Sequence, residues 1–158
     1  MGSWDWDWVN GDWMWDEGQF QIFGLDPKNF VVTPSNVQAL LHPDDINELR
    51  KAQAQFAKGV KSYEAEFRIV RPDGDVRWCA GSAAVTVDSA GRVVRVSGVT
   101  IDITDRKHAE ERQNLLAREV DHRAKNALAV VQSIVRLTRA NSIEDFITAV
   151  EGLSLIHI

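Results

Sequence analysis

The sequence is short of the residues that would narrow its chemistry quickly. It has a single cysteine, Cys79, so neither an internal disulfide nor a cysteine-based metal cluster can form. No stretch approaches the ~18 apolar residues of a membrane span, and the start shows no signal-peptide pattern. Positive charge is scarce as well: 18 Lys and Arg against 23 Asp and Glu leave a net charge of −5. A mildly acidic chain lacks the basic footprint on which non-specific nucleic-acid binding depends. Internal repeats and low-complexity tracts are missing. These absences describe an ordinary cytoplasmic chain of 158 residues, with room for one compact domain and a helical appendage.

Tryptophan is in surplus. Five of the six stand in the first fifteen residues, at Trp4, Trp6, Trp8, Trp13 and Trp15. Trp4, Trp6 and Trp8 alternate with Asp5 and Asp7, the period of a half-buried strand. Asn10-Gly11 is a hairpin signal, and Asp12–Trp15 resumes the alternation. A β-hairpin is expected, with its indoles covering one sheet face. They serve either as packing against helices or a partner surface, or as an aromatic cage for a flat ligand. Such aromatics also mark a possible dimer contact. QFQIFG follows as a short helix ended by Gly24.

Asp26-Pro27 and Thr33-Pro34 divide the next stretch into loops and short helical pieces, with Ser35 as the expected cap of a helix through Leu41. His42-Pro43-Asp44-Asp45 opens another helix, with Ile46, Leu49 and Phe56 on its apolar face and Gly59 at its end. His42 precedes a proline and has no second ligand at a usable spacing, so it reads as a turn residue rather than a metal or haem ligand. Three strands come next. Tyr63, Ala65, Phe67 and Ile69 alternate with charged residues, and Arg71-Pro72-Asp73-Gly74 forms a turn. Val76–Val87 is the second strand and Val93–Ile103 the third. Gly81 and Gly98 inside these strands signal sheet curvature or a close approach to the backbone.

The order strand–strand–short helices–helix–three strands, in about a hundred residues, resembles a PAS domain. The carriers are WDWDWVNGDWMW, GQFQIFGLDP, LLHPDDINEL, YEAEFRIVRPDGDVRW and VSGVTIDITDRKHAE, with RPDG-x-x-RW and DITDRK the most specific. The resemblance implies an α+β fold: a five-stranded antiparallel sheet, helices on one face and a small apolar cavity between. It also implies that Asp102, Ile103 and Thr104 couple the last strand to the outgoing helix, where Asp102 and Thr104 are natural caps. Alternation nominates Phe56, Phe67, Trp78, Val85 and Val99 as cavity lining. No cofactor and no metal is identifiable; the expectation is a PAS fold without cofactor or with an unknown small apolar ligand in its cavity. Flavin-binding, light-sensing members carry an asparagine–cysteine–arginine run on a helix. Here Cys79 falls in a strand, which argues against a photoreactive adduct.

Beyond Asp105 a charged helix, DRKHAEERQNLLAR, runs into LAREVDHRAKNALAVVQSIVRL. Heptad lettering places Val120, Ala127 and Ile134 at a, and Leu116, Arg123, Val130 and Leu137 at d, a seam for a partner helix. His108 sits among charges and reads as solvated. His122 falls at c and points away from the seam. An exposed imidazole that can lose a proton near neutrality is a candidate nucleophile for a phosphoryl group, although by spacing alone a lone exposed histidine on such a helix is usually just a surface residue. His122, Arg123, Lys125, Asn126, Leu128, Val131, Gln132 and Ile134 resemble the phosphoacceptor box of HWE-type sensor histidine kinases. The resemblance implies His122 as phosphoacceptor, with Arg123, Lys125 and Asn126 in support. It also implies a homodimeric hairpin and an aspartate-bearing response regulator as partner.

Asn141-Ser142 breaks the helix, with Ser142-x-x-Asp145 as a capping box and Phe146, Val150 and Leu153 beginning a second helix. The expected parts are a sensor domain over 1–104, a linker helix over 105–118 and a partial phosphotransfer hairpin over 119–152. Residues 153–158, LSLIHI, also translate CTGTCTCTTATACACATC, a transposase adapter end, and are expected to be non-native. The ATP-binding domain of a bacterial kinase is expected beyond this stretch, so the chain alone should be inert. The leading expectation is thus the input end of a two-component sensor kinase. The alternatives are a stand-alone PAS ligand-binding or dimerisation module, and a flavin photoreceptor.

Overall fold

A computed structural model of the chain describes residues 1–47 and 60–137, together with positions 50, 51, 54, 143, 144 and 147. Two compact units are resolved, Met1–Lys107 and a second beginning at His108. In the first, the tryptophan alternation becomes a hairpin. Strands β1 (Gly2–Asp7) and β2 (Trp13–Trp15) pair Trp4 with Trp15 and Trp6 with Trp13. Asp7 closes the turn by accepting the backbone N–H groups of Val9 and Asn10, both at 2.9 Å. Helix α1 (Glu17–Phe23) starts where Asp16 accepts the Gln19 N–H at 2.8 Å and ends at Gly24 in the left-handed conformation.

Helix α2 (Pro34–Ala39) is capped by Thr33, whose hydroxyl accepts the Asn36 N–H at 3.2 Å, and not by Ser35. Pro34 explains the shift. Its missing N–H and fixed φ suit the first helical position, so the capping role moves one residue upstream of it. His42 lies in a turn, as its place before Pro43 suggested. Its carbonyl accepts from Asp45 N–H at 2.9 Å and its Nδ1 lies 3.3 Å from the Asp44 amide. Helix resumes at Ile46; Leu49, Phe56 and Gly59 lie outside the described residues.

Strands β3 (Ser62–Val70), β4 (Val76–Val87) and β5 (Val93–Asp102) form an antiparallel meander. With the hairpin they make one five-stranded sheet in the order β2-β1-β5-β4-β3, so the last strand is central and the first unit closes on itself. Directly paired residues share a face. Phe67 pairs with Cys79, Tyr63 with Ala83, Gly81 with Thr100 and Gly98 with Trp4, and these define the inner face. Ile22 and Phe23 of α1 pack there against Ile69 and Cys79. Toward the hairpin a second cluster joins Ala83 and Val96 to Trp4, Trp6, Trp8, Tyr63 and Val85.

Helix α3 (Thr104–Leu137) follows β5 after one residue, and the linker and His122 segments are continuous within it. The expected break at Asn141-Ser142, the apolar face of Phe146, Val150 and Leu153, and residues 153–158 lie outside the described residues.

Candidate functional site

Between the inner sheet face and the helices lies an apolar cavity of about 160 Å³. Four indoles from the hairpin, Trp4, Trp6, Trp13 and Trp15, line it, with Gln19 and Phe23 of α1, Val37 of α2 and Phe67, Gly81 and Thr100 of the sheet. Two glycines make the room. A Cβ on Gly98 would sit 2.4 Å from the Trp4 ring, and one on Gly81 would sit 2.9 Å from Phe67. The glycines therefore mark close approach by aromatic rings, which settles the choice left open by the sequence.

The lining expected from alternation needs correction. Phe67 lines the cavity, and Phe56 lies outside the described residues. Trp78 pairs with Arg68 and Val99 with Ser82, so both belong to the outer face. There Trp78 has the Arg68 guanidinium and the Lys107 ammonium each 5.2 Å from its ring centre. Val85 does face inward, but it packs with Ala83 and Val96 and is not part of the cavity wall. Much of the wall is the tryptophan hairpin, whose indoles the sequence left open between packing and an aromatic cage. The pairing Trp4–Trp15 and Trp6–Trp13 across Asn10-Gly11 was the available signal.

At the exit of β5, Asp102, Ile103 and Thr104 form a compact knot. Asp102 Oδ1 accepts the Thr104 N–H at 2.9 Å and its hydroxyl at 2.6 Å. Thr104 Oγ1 accepts the Trp78 N–H at 3.0 Å, and Ile103 N–H donates to Trp78 O at 2.8 Å. The other carboxylate oxygen of Asp102 faces Arg77 at 3.7 Å and Arg71 at 4.0 Å. Burial pushes the Asp102 carboxyl up, but the Thr104 bonds and the two guanidinium groups outweigh it and hold the group below its ordinary value. Arg71 also donates to the Ile22 carbonyl at 2.8 Å and the Gln21 carbonyl at 3.2 Å. The C-terminal carbonyls of α1, one wall of the cavity, are thereby tied through Arg71 to the carboxylate that starts α3. On the outer face, Arg106 of α3 pairs with Glu66 at 2.6 Å.

In the second unit, His122 is exposed on α3. The Asn126 amide, one turn on, lies 3.4 Å from its Nδ1. Lys125 pairs with Asp121 at 2.6 Å and Arg123 pairs with Glu119, both at i,i+4 spacing. Of the three residues expected to support His122, Asn126 alone touches the ring among the described contacts; the two cations are engaged with acids one turn upstream. Leu116, Val120 and Val130, assigned to the seam, are exposed, while nothing is described of the Ile134 and Leu137 side chains. Among the described residues no helix is long and apolar enough to cross a membrane, and no group of three or more His, Cys, Asp or Glu is placed to hold a metal.

An antiparallel sheet closed by its first and last strands over an aromatic cavity, with a long helix leaving the final strand, is the architecture of a sensor module. The chain belongs to the PAS family: the PAS fold family matches residues 12–100, and the HWE histidine kinase family matches residues 119–153. Among curated relatives, a blue-light-activated histidine kinase of Brucella anthropi is 34% identical over 142 residues, and that of Brucella ovis 31%. Each match covers 90% of this chain but 28% of the relative, so the chain spans little more than a quarter of their length. Among solved structures, a sensory box histidine kinase/response regulator of Burkholderia thailandensis superposes with a TM-score of 0.65 at 26% identity, covering 77% of this chain and 90% of that one. The N-terminal domain of a Marinobacter aquaeolei diguanylate cyclase with a PAS/PAC sensor gives 0.61 at 21% identity, covering 68% and 98%.

Proposed function

We propose that the chain is the sensing and phosphoacceptor portion of a two-component sensor histidine kinase, with residues 1–104 as sensor, 105–118 as linker helix and 119–152 as part of a dimeric phosphotransfer hairpin. The observation that carries this reading is His122, exposed on α3 inside the HWE-matched stretch, with the Asn126 amide against its ring. Oxygen and nitrogen of such an amide are interchangeable by rotation. With the oxygen turned to the ring, Asn126 accepts from Nδ1–H and leaves the lone pair on Nε2. That nitrogen attacks the γ-phosphorus of ATP held by a family catalytic domain: the N–P bond forms, the bond to the ADP oxygen breaks, and the Nδ1 proton of the resulting cationic ring passes to solvent, to which His122 is exposed. The phosphoryl group then passes to an aspartate of a response regulator. Phosphoryl transfer rests on positioning and charge neutralisation, and Arg123 and Lys125, one and three residues beyond His122 in the same helix, are the cations that would exchange their acidic partners for the incoming phosphate. The PAS unit supplies the input, relayed from the cavity through α1, Arg71 and Asp102–Thr104 into α3.

The test is to mix the chain with a catalytic domain of the family and Mg-ATP, and to follow acid-labile label. His122→Ala should abolish labelling and Asn126→Leu should slow it; labelling of His122→Ala at the unmodified rate would sink the proposal.

The names of the Brucella relatives raise a flavin photocycle. The residues of this chain do not fit a cysteinyl–flavin adduct. Its one cysteine sits in the core with Ile22, Phe23 and Ile69, outside the cavity wall, and burial, aided by the Asp102 charge, pushes its thiol up to about 12.

A further inference from the structure

The cavity is walled by aromatic side chains whose polar atoms are turned away from it. The indole N–H groups of Trp6, Trp13 and Trp15, and Oε1 of Gln19, have essentially no accessible surface, so a guest in the cavity does not reach them. What those three indoles present to the void is carbon. A resident water needs several polar partners, and these indoles supply none. Six aromatic residues, Trp4, Trp6, Trp13, Trp15, Phe23 and Phe67, share the lining. Their rings already pair among themselves. Trp6 stacks on Trp13 at 5.1 Å, Trp4 meets Trp13 edge-on at 5.8 Å, and Trp15 lies 4.6 Å from Phe23.

We propose that this cavity seats a neutral hydrocarbon of about one ring, the class that toluene represents. Interiors keep few voids larger than a water molecule, so one of about 160 Å³ walled by aromatic rings is a seat rather than a packing fault. A cavity of ~150 Å³ lined by apolar side chains admits benzene. Aromatic pairs gain more than the area they bury, and a guest ring joins a cluster built from such pairs. A guest hydroxyl or carbonyl would give up its water where the indole donors and the Gln19 oxygen are out of reach, the cost of an unpaired buried polar group. Thr100, on the lining and 1% exposed, is the group such a guest would have to find instead, and phenol is the probe that tests it. A carboxylate would lose still more on burial, and Arg50, the cation on the lining, is exposed and keeps its charge in water.

The experiment is equilibrium dialysis of the 158-residue chain, in sealed cells, against toluene, phenol and benzoate, which differ in one ring substituent. Toluene is expected to bind at least about tenfold more tightly than phenol, the ratio that one unpaired buried hydroxyl gives. Ala83 is buried on the inner face and lines the cavity, so Ala83→Leu fills the space and should abolish toluene retention. Val37→Phe makes the same test from α2 if thermal melting shows that the first variant does not fold. Phenol binding as tightly as toluene would overturn the proposal, as would no retention of toluene at ~1 mM. Unchanged toluene affinity in the folded variant would also overturn it, by placing the toluene elsewhere on the chain. Tighter binding of benzoate would do the same, by moving recognition to Arg50. None of these readouts involves ATP or His122, so the result stands apart from the phosphoacceptor assignment.

Discussion

At the scale of single residues, Gly98 shows how the site is made. A methyl there would lie 2.4 Å from the Trp4 ring and 2.6 Å from the Ser82 carbonyl, and the carbonyl cannot yield without breaking the β4–β5 ladder. Gly98→Ala should therefore cost about 1–3 kcal/mol, as overpacked cores do, and lower the urea midpoint with an unchanged slope. A midpoint equal to that of the unmodified chain would mean that Trp4 has free space to swing into. The sequence marked Gly81 and Gly98 as unusual but could not name the cause, because Trp4 comes from the opposite end of the domain. The cavity wall failed for a related reason. Phe67 lines the cavity as nominated, but Trp78 and Val99 lie on the outer face and Val85 packs beside it, while the distant hairpin supplies the indoles of the wall. Trp78 and Val85, seven apart on one strand, cannot share a face at all.

At the scale of elements, the β5–α3 junction depends on two short side chains. Thr104→Val preserves shape but leaves the Trp78 N–H and Asp102 without their hydroxyl partner, for a loss of about 1–3 kcal/mol in urea unfolding. The same junction predicts an acid limb. Asp102, and Asp45 through its bonds to Arg68, both titrate in the folded chain below their ordinary value of 3.8. The unfolded state therefore takes up protons first as pH falls. The stability these groups confer is complete above about pH 5 and lost progressively below 3.8, toward the folded-state values. Asp102→Asn should flatten part of that decline in urea midpoints measured from neutral to acid pH; an unchanged limb would place the proton uptake elsewhere. Strands and turns were the legible elements, since period-2 alternation and Pro-Asp-Gly or Asn-Gly punctuation are local signals. The α2 cap was not, because Thr33 and Ser35 are chemically alike and only the position of Pro34 separates them.

At the scale of the whole molecule, the exposed stripe of Leu116, Val120 and Val130 on α3 predicts self-association. Native mass spectrometry should show a dimer, and Val120→Asp should weaken it at least tenfold (about 1.4 kcal/mol or more); a monomer before substitution would remove the two-helix seam. Blue light should leave the absorption of the purified chain unchanged, and a bleaching yellow band would overturn the reading of Cys79. The family was legible in full because RPDG-x-x-RW, DITDRK and the His122 box are contiguous, whereas the cavity is assembled from residues scattered between Trp4 and Thr100. Cys79 has one more use. Fully enclosed and with its thiol pushed up to about 12, it should ignore alkylating reagents until the sheet opens. As the chain's one sulfhydryl, it turns the rate of mass gain under excess iodoacetamide into a clock for core opening, readable without any label being introduced, and slowed by whatever occupies the cavity.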